Sequence, residues 1–241
     1  MLAIVGGVLV LLAGVAAFRL YRIANQLNDA QAELRAAEAS VREGELARAE
    51  NELGRAERLV AAANGSLHTS PELSVASAFP IARENLASLR RSVEITLRLT
   101  SGGRRVLTIA RPLQGPDGRL QVSLRAGAVP VDTAREAGGL LKEVAYSLPE
   151  LSGSSRRWLV GPVRQLHDDV VSESLRRRRQ FISVGRGLEL LTELAGDDGP
   201  RRYMLAVANT AEMRGTGGMV LSYGSLTSDA GKMALERFGP I

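Results

Sequence analysis

Cysteine is absent from this 241-residue chain, and histidine occurs only at His68 and His167. Disulfides and thiolate metal sites are therefore excluded, and two histidines are too few for an ordinary zinc centre. We expect no metal and no cofactor. Aromatic residues make up only 4% of the chain, so the large side chains that anchor most globular cores are scarce. These shortages favour an elongated, mostly helical molecule.

Lysine is also scarce, since Lys142 and Lys232 are the only two and arginine supplies the other basic residues. The formal net charge is only +5, which is too small for a strong electrostatic field. Nucleic-acid binding normally requires basic residues concentrated in one stripe. We therefore expect no nucleic-acid partner.

Charged and strongly polar side chains are missing between Met1 and Phe18. A helix of this length, extended by Leu20, approaches the ~30 Å thickness of a bilayer core. The sequence predicts a transmembrane anchor over residues 1–20, with the lipid bilayer as a partner. A cleaved signal peptide is the alternative, although no basic residue precedes the apolar run. Arginines 19, 22 and 35 follow the run, and by the positive-inside rule they place the remaining chain in the cytoplasm.

Residues 21–64 carry one narrow apolar stripe that restarts after Gly44. Its members alternate at spacings of four and three, which is typical of a helix that packs along one face. They are Ile23, Leu27, Ala30, Leu34, Ala37 and Val41, then Leu46, Ala49, Leu53, Ala56 and Val60. The pattern predicts a helical hairpin that turns at Gly44. A parallel coiled-coil dimer and a solenoid repeat are the alternatives.

Residues 65–150 are predicted to form a helical region with a small extended hairpin. Ser70-Pro71 has the order of a helix start, and Pro80 separates a helix ending at Phe79 from another over residues 81–99. The β-branched runs 106–110 and 120–124 flank a strong turn signal, which predicts two paired strands. Thr133 and Glu136 form a capping box that opens a helix to Leu148.

Residues 151–198 contain the last long helix, which begins at Gly161-Pro162. Four consecutive arginines, residues 176–179, lie in its middle. Consecutive residues point around most of a helix, so they cannot all address one ligand. One interpretation is a solvated surface that is partly paired with Glu173. The other is contact with phosphate-bearing lipid headgroups or envelope polymers.

Residues 199–241 begin with two short strand patterns, Tyr203 to Ala208 and Met219 to Leu226. The link between them carries Glu212, Arg214, Thr216 and the glycines Gly215, Gly217 and Gly218. A strand rather than a helix follows these glycines, which disfavours a nucleotide-binding loop. Ser222 lacks the preceding glycine of a nucleophile elbow. His167 is interpreted as a surface histidine, because the adjacent Asp168 diverges from it on a helix.

Several residues of this region resemble the bacterial family catalogued as domain of unknown function 4012. The resemblance rests on Gly199-Pro200-Arg201-Arg202-Tyr203, Asn209, Ala211-Glu212-x-Arg214-x-Thr216-Gly217-Gly218 and Ser222-Tyr223-Gly224. It implies a membrane-anchored, envelope-facing protein of high-G+C Gram-positive bacteria, placed outside the cytoplasm against the charge pattern above. It also implies a helical run at 106–110 and a family domain that continues beyond Ile241.

The expected fold is therefore α+β and mostly α-helical. It comprises a transmembrane helix, a hairpin stalk, further helices and the first strands of an incomplete α/β domain at 199–241. The expected function is a single-pass, envelope-facing protein of cell-surface or cell-wall polymer assembly. The alternatives are a phosphoglycan-transferring enzyme with catalytic residues beyond Ile241, and a cytoplasm-facing, membrane-tethered helical scaffold.

The strongest candidate site is an anion-binding concavity around Arg214. The backbone N–H groups of Gly215, Gly217 and Gly218 would contact a phosphate, Glu212 would orient Arg214, and Thr216 and Ser222 would supply hydroxyls. In the enzyme alternative, Arg201 and Arg202 would join Arg214 in clamping pyrophosphate. Anionic envelope polymers or lipid-linked phosphates are the expected ligands. The plainer interpretation is an ion pair between Glu212 and Arg214 at the end of the sheet.

Overall fold

The computed structural model describes residues 2–117, 128–148, 156–209 and 219–240, with side chains from residue 14 onward in the first helix. The chain divides into two compact units. The helical unit is Met1–Leu120 with Leu140–Ile182, and the sheet unit is Gln121–Gly139 with Ser183–Ile241. The elements are α1 Leu2–Arg42, α2 Leu46–Thr69, α3 Pro71–Ala76, α4 Pro80–Ala110, α5 Val131–Ser147, α6 Gly161–Leu194, β1 Arg201–Asn209, β2 Met219–Asp229 and β3 Lys232–Pro240.

The helical hairpin of α1 and α2 lies where the apolar spacing places it. Its turn passes through Gly44, whose φ of 77° is the left-handed conformation that glycine adopts without strain. The stripe residues are buried with the exception of Val41, which is 44% exposed. Alanines at Ala30, Ala49 and Ala56 are fully buried, so the two helices approach closely along this seam.

The predicted transmembrane anchor at residues 1–20 is contradicted. Among the helices whose side chains the structure describes, none is both long enough and apolar enough to cross a membrane. Leu20, which was expected to extend the span, is instead buried in the helical core beside Ile23. Arg19 forms an ion pair with Glu72 of α3. The single-pass membrane location that depended on the anchor is corrected with it.

Helix α4 runs without interruption to Ala110, so the strand predicted at 106–110 is wrong and the helical run that the family resemblance implied is observed. Two glycines explain why the helix continues. A Cβ on Gly102 would lie 2.6 Å from Val144 of α5, and one on Gly103 would lie 3.2 Å from Leu53 of α2. These glycines allow close helix packing rather than loosening the end of a helix. The second predicted strand, 120–124, lies outside the described residues.

Buried polar side chains connect α1, α4 and α6 within the helical unit. Gln31 donates a hydrogen bond to the hydroxyl of Thr96 at 3.2 Å, and His167 Nδ1 lies 3.1 Å from the hydroxyl of Ser88. His167 is only 6% exposed, which corrects the interpretation of a surface histidine. These contacts add hydrogen bonds to a core made mostly of leucine, alanine, valine and isoleucine.

The sheet is three-stranded and antiparallel, with the order β1-β2-β3. This arrangement corrects the predicted α/β domain, because the described residues are mostly helical and include one small antiparallel sheet. Strands β2 and β3 are joined by Ala230 and Gly231, both with positive φ, as in the tight turns that match the strand twist. Strand β3 is an element that the sequence patterns did not predict.

Candidate functional site: the two faces of the sheet

The sheet is tied to the end of α6 by backbone and side-chain contacts. The N–H of Ala230 donates to the carbonyl of Gly196, and that of Gly231 donates to the carbonyl of Ala195. Arg135 binds the carboxylate of Asp197 with two nitrogens. The Tyr203 hydroxyl donates to the carbonyl of Leu194 at 2.9 Å. These contacts hold the β2–β3 turn and the start of β1 in place.

No residue other than glycine fits at position 196 of this junction. Its φ is 76°, and a Cβ there would overlap the carbonyl oxygen of Ser228. Both the conformation and the space exclude a side chain. The junction therefore depends on a glycine that immediately follows the last turn of α6.

Side-chain alternation divides the sheet into an apolar face and a polar face. Residues paired directly across an antiparallel sheet lie on the same face, so the strand register assigns each one. The apolar face comprises Tyr203, Leu205, Val207, Leu226, Met233, Leu235 and Phe238. The polar face comprises Arg202, Tyr223, Ser225, Thr227, Glu236 and Arg237, with Met204 and Ala206.

The apolar face is only partly covered. Leu205 is 39% exposed, Leu235 is 55% exposed and Phe238 is 51% exposed. The ring of Phe238 packs over Gly224, where a Cβ would lie 2.8 Å from it. Adjacent half-exposed apolar side chains of this kind mark an interaction surface more often than a scattered set does.

The polar face has a hydrogen-bonded centre beside an exposed ring. The register shift after Ser225 inserts Glu236 as an extra residue in β3, and the hydroxyl of Ser225 donates to its carboxylate at 2.9 Å. Arg202 lies 3.5 Å from the same carboxylate, with 72% of its side chain exposed. This long, solvated ion pair leaves most of the guanidinium's donors directed to solvent.

Tyr223 lies on this face between two residues that cannot cover it. Its neighbours across the strands are Ala206 and Gly239, and its side chain is 55% exposed. An exposed tyrosine offers an apolar ring surface and a hydroxyl, which can contact the same ligand. Tyr223 and Ser225 lie two residues apart on the same face of β2, so a ring that can stack and a group that can hydrogen-bond are neighbours.

The site predicted from the sequence is only partly described. Glu212, Arg214, Gly215, Thr216, Gly217 and Gly218 lie outside the described residues, and their role as an anion site stays a prediction. Ser222 is half-buried opposite Val207 on the apolar face. Arg201 begins β1 six positions before Val207, which is about 20 Å along the strand, and Arg202 follows it. The structure therefore does not bring the two arginines to Ser222.

Arg201 and Arg202 are also separated from each other. Consecutive strand residues point to opposite faces, and their partners Ser228 and Thr227 lie on opposite faces accordingly. They therefore cannot act as a pair on one ligand. Arg202 alone joins the polar face, and Glu236 and Arg237 are members that sequence reasoning missed.

Two arginines of the α6 run, Arg176 and Arg177, form ion pairs within the helical unit. Arg176 and Arg177 both bind Glu173, at 2.8 Å each, and both bind Glu38 of α1, at 2.9 and 3.3 Å. Arg177 is only 5% exposed. The predicted solvated surface is wrong for this residue, and contact of Arg177 with an external polymer is excluded by its burial.

These ion pairs set the ionisation of both carboxyl groups. Hydrogen bonds from Arg176, together with the charge of Arg177, outweigh desolvation and lower the pKa of Glu173 to about 2. Burial opposes ionisation of Glu38, but the hydrogen bonds from Arg176 and Gln180 prevail and hold its pKa below the usual range. These four charges form an internally paired cluster, to which Arg42 adds a further ion pair with Glu38.

Comparison with known proteins is informative for the sheet unit alone. No curated protein and no solved structure matches the chain. Residues 198–240 match the model of a family described as Protein of unknown function (DUF4012). The matched segment contains all three strands, and within it the resemblance to the 4012 family is confirmed.

Proposed function

We propose that the polar face of the sheet binds phosphate-bearing glycan polymers, and that the chain takes part in assembling or handling polymers of this class. The observation that carries the proposal is the exposed ring of Tyr223 beside the Ser225, Glu236 and Arg202 cluster. The resemblance to the 4012 family supports a role in cell-surface polymer assembly, since its members look like envelope proteins.

The chemistry of the face fits such a ligand. A guanidinium binds a phosphate through two parallel N–H groups, which a point charge cannot do. A sugar ring presents C–H groups to an aromatic surface and hydroxyls to carboxylates. Arg202, Tyr223 and Glu236 supply these three functions within three neighbouring register positions. The face is open rather than a cleft, which suits an extended polymer better than a small substrate.

Two adjacent arginines provide a matched test. Arg202→Gln and Arg201→Gln remove the same charge one residue apart, from opposite faces of β1. Binding of purified poly(glycerol phosphate) teichoic acid to the full chain should be measured by isothermal titration calorimetry at fixed ionic strength. We expect Arg202→Gln to weaken binding about tenfold, because a charge-assisted hydrogen bond contributes ~1.5–3 kcal/mol. Arg201→Gln should change it less than about twofold.

Further variants separate recognition from loss of folding. Tyr223→Ala should also weaken binding, while its unfolding midpoint should stay close to that of the parent because the side chain is mostly exposed. Arg202→Lys keeps the charge and loses the planar fork, so it should bind more weakly than the parent. Equal losses for Arg201→Gln and Arg202→Gln would indicate non-specific attraction and contradict the proposal, as would failure of the parent chain to bind.

A further inference from the structure

The two edges of the sheet differ in how well they are protected against pairing with another strand. Strand β3 contains an extra residue at Glu236, charged side chains at Lys232 and Arg237, and a proline at Pro240. Its first residue also pairs with Ala128. Bulges, charges and prolines are the usual devices that prevent edge-to-edge association.

Strand β1 has none of these devices beyond its first two residues. From Tyr203 to Asn209 it contains no charge and no proline. The irregularity in its pairing with β2 places the extra residue, Leu221, on β2, so β1 itself is regular. Within the described residues it has a strand on one side only. A regular apolar edge of this length is a template for another strand.

The sequence of β1 is compatible with pairing to itself in one orientation. In a parallel arrangement, Arg201 and Arg202 would lie beside the same residues of a second copy, and adjacent like charges are destabilising. In an antiparallel arrangement centred on Leu205, Arg201 lies opposite Asn209 and Arg202 lies opposite Ala208. The four arginines then lie at opposite ends of the new strand pair, opposite uncharged residues.

The same register matches side chains on the apolar face. A two-fold axis through Leu205 and perpendicular to the sheet keeps both apolar faces on one side. Tyr203 then lies opposite Val207 of the second copy, and Leu205 lies opposite its own equivalent. Aromatic residues paired with β-branched residues are favourable cross-strand neighbours. Val207 is 48% exposed and Leu205 is 39% exposed, so both have surface to bury.

We propose that two copies of the chain associate through antiparallel pairing of their β1 strands around Leu205. The product is a continuous six-stranded sheet with an uninterrupted apolar face. On its other side the two polar faces, each with its Tyr223 and Arg202, become one longer surface. The occupant of the β1 edge is thus a second copy of this chain.

The absence of cysteine makes disulfide cross-linking a clean test. Directly opposed residues of an antiparallel pair have Cβ atoms about 4.5–5.5 Å apart, within reach of a disulfide after small adjustment. Leu205→Cys in the full chain should form a covalent dimer under mild oxidation. Leu235→Cys, on the same face but in β3, is the matched control and should remain monomeric.

Mixtures of variants test the register. Tyr203→Cys and Val207→Cys should cross-link poorly alone and efficiently when mixed, because only the mixture places a cysteine opposite a cysteine. Equal cross-linking of Leu235→Cys, or a Leu205→Cys variant that remains monomeric, would overturn the proposal.

Charge variants test the same contact without covalent chemistry. Leu205→Arg and Leu205→Glu each place two like charges together at the two-fold axis, so each alone should sediment as a monomer. An equimolar mixture should sediment as a dimer, since opposite charges then face each other. Misfolding of either variant would not produce this recovery. A parent chain that sediments as a monomer, or a mixture that stays monomeric, would contradict the inference.

Discussion

The helical unit and the sheet unit differ most in what they leave exposed. In the helical unit Ile23, Leu27, Leu89 and Leu166 are at most 1% exposed. In the sheet unit Met204 is 80% exposed, and both faces of the sheet present large side chains. The helical unit buries a core of apolar side chains, although Phe18 and Tyr146 remain exposed. In the strands, no large apolar side chain that the structure describes is fully buried. This contrast supports the proposal that the binding surfaces lie on the sheet.

The same contrast holds for charge. Arg177 of the helical unit is 5% exposed and pairs with Glu173 and Glu38. Arg202 of the sheet unit has 72% of its side chain exposed and one long ion pair. An arginine that is already buried and paired serves stability, while an exposed one can exchange its partner for a ligand.

The largest effect is expected from a mutation that breaks the charge cluster of Arg176, Arg177, Glu173 and Glu38 in the helical unit. Arg177→Ala leaves Glu173 and Glu38 partly buried with less compensation, so we expect the free energy of unfolding to fall by about 3–5 kcal/mol. Arg179→Ala removes an exposed arginine two residues away and should change it by less than ~0.5 kcal/mol. Urea unfolding followed by circular dichroism measures both. Equal effects would contradict a structural role for the cluster.

A somewhat smaller effect is expected at the junction of α6 with the sheet. Gly196→Ala combines a positive φ with overlap against the Ser228 carbonyl, and should destabilise the sheet unit by about 2–4 kcal/mol. Gly187→Ala in α6 meets open space and should stabilise the helix by up to ~1 kcal/mol. Hydrogen exchange by mass spectrometry localises the change. Faster exchange confined to α1 and α2 would show that the junction was misassigned.

The smallest effect concerns acid stability. The pKa of Glu173 is about 2 in the folded chain against an ordinary value of 4.5. Because the folded pKa is depressed, its contribution is present above the ordinary value and is lost as pH falls through the folded value. The loss should reach at most about 3 kcal/mol between roughly pH 5 and pH 2.

Glu173→Gln removes the titrating group, so its unfolding free energy should depend less on pH in this interval. Urea unfolding at several pH values compares the variant with the parent. Identical pH dependence of the two proteins would contradict the assigned ionisation.

The helical hairpin could be predicted from the sequence, because apolar residues at alternating spacings of four and three line up on one face of a helix and in few other structures. The end of α4 could not. Val106, Thr108 and Ile109 favour a strand locally, but packing of Gly102 against Val144 and of Gly103 against Leu53 continues the helix. Tertiary contacts outweighed propensity, as they often do.

Strand β3 and the two residues that it adds to the polar face, Glu236 and Arg237, escaped prediction for a different reason. Met233 and Leu235 alternate as strand residues do, but the extra residue Glu236 interrupts the alternation before Phe238. Because of this bulge, the sequence pattern reveals neither the strand nor the position of the Glu236 carboxylate beside Ser225. Arg201, Arg202 and Ser222 could be named as candidates, but the strand register was needed to show that they do not lie together.

The pairing of Arg176 and Arg177 with Glu38 was beyond sequence reasoning. Glu173 precedes the arginines by three and four positions, which a helix pattern predicts. Glu38 is separated from Arg176 by 138 positions, and no local pattern relates them. The run was therefore interpreted with Glu173 as its only partner, and its second carboxylate, Glu38, came from another helix.

Hydroxyl-radical footprinting tests most directly whether the sheet, rather than the helices, is the binding surface. Met204 and Tyr223 on the polar face are 80% and 55% exposed, and Tyr146 of the helical unit is 62% exposed, so all three should react in the unbound chain. Addition of poly(glycerol phosphate) teichoic acid should slow oxidation of Met204 and Tyr223 and leave Tyr146 unchanged. Protection of Tyr146 with unchanged oxidation of Met204 and Tyr223 would contradict the assignment.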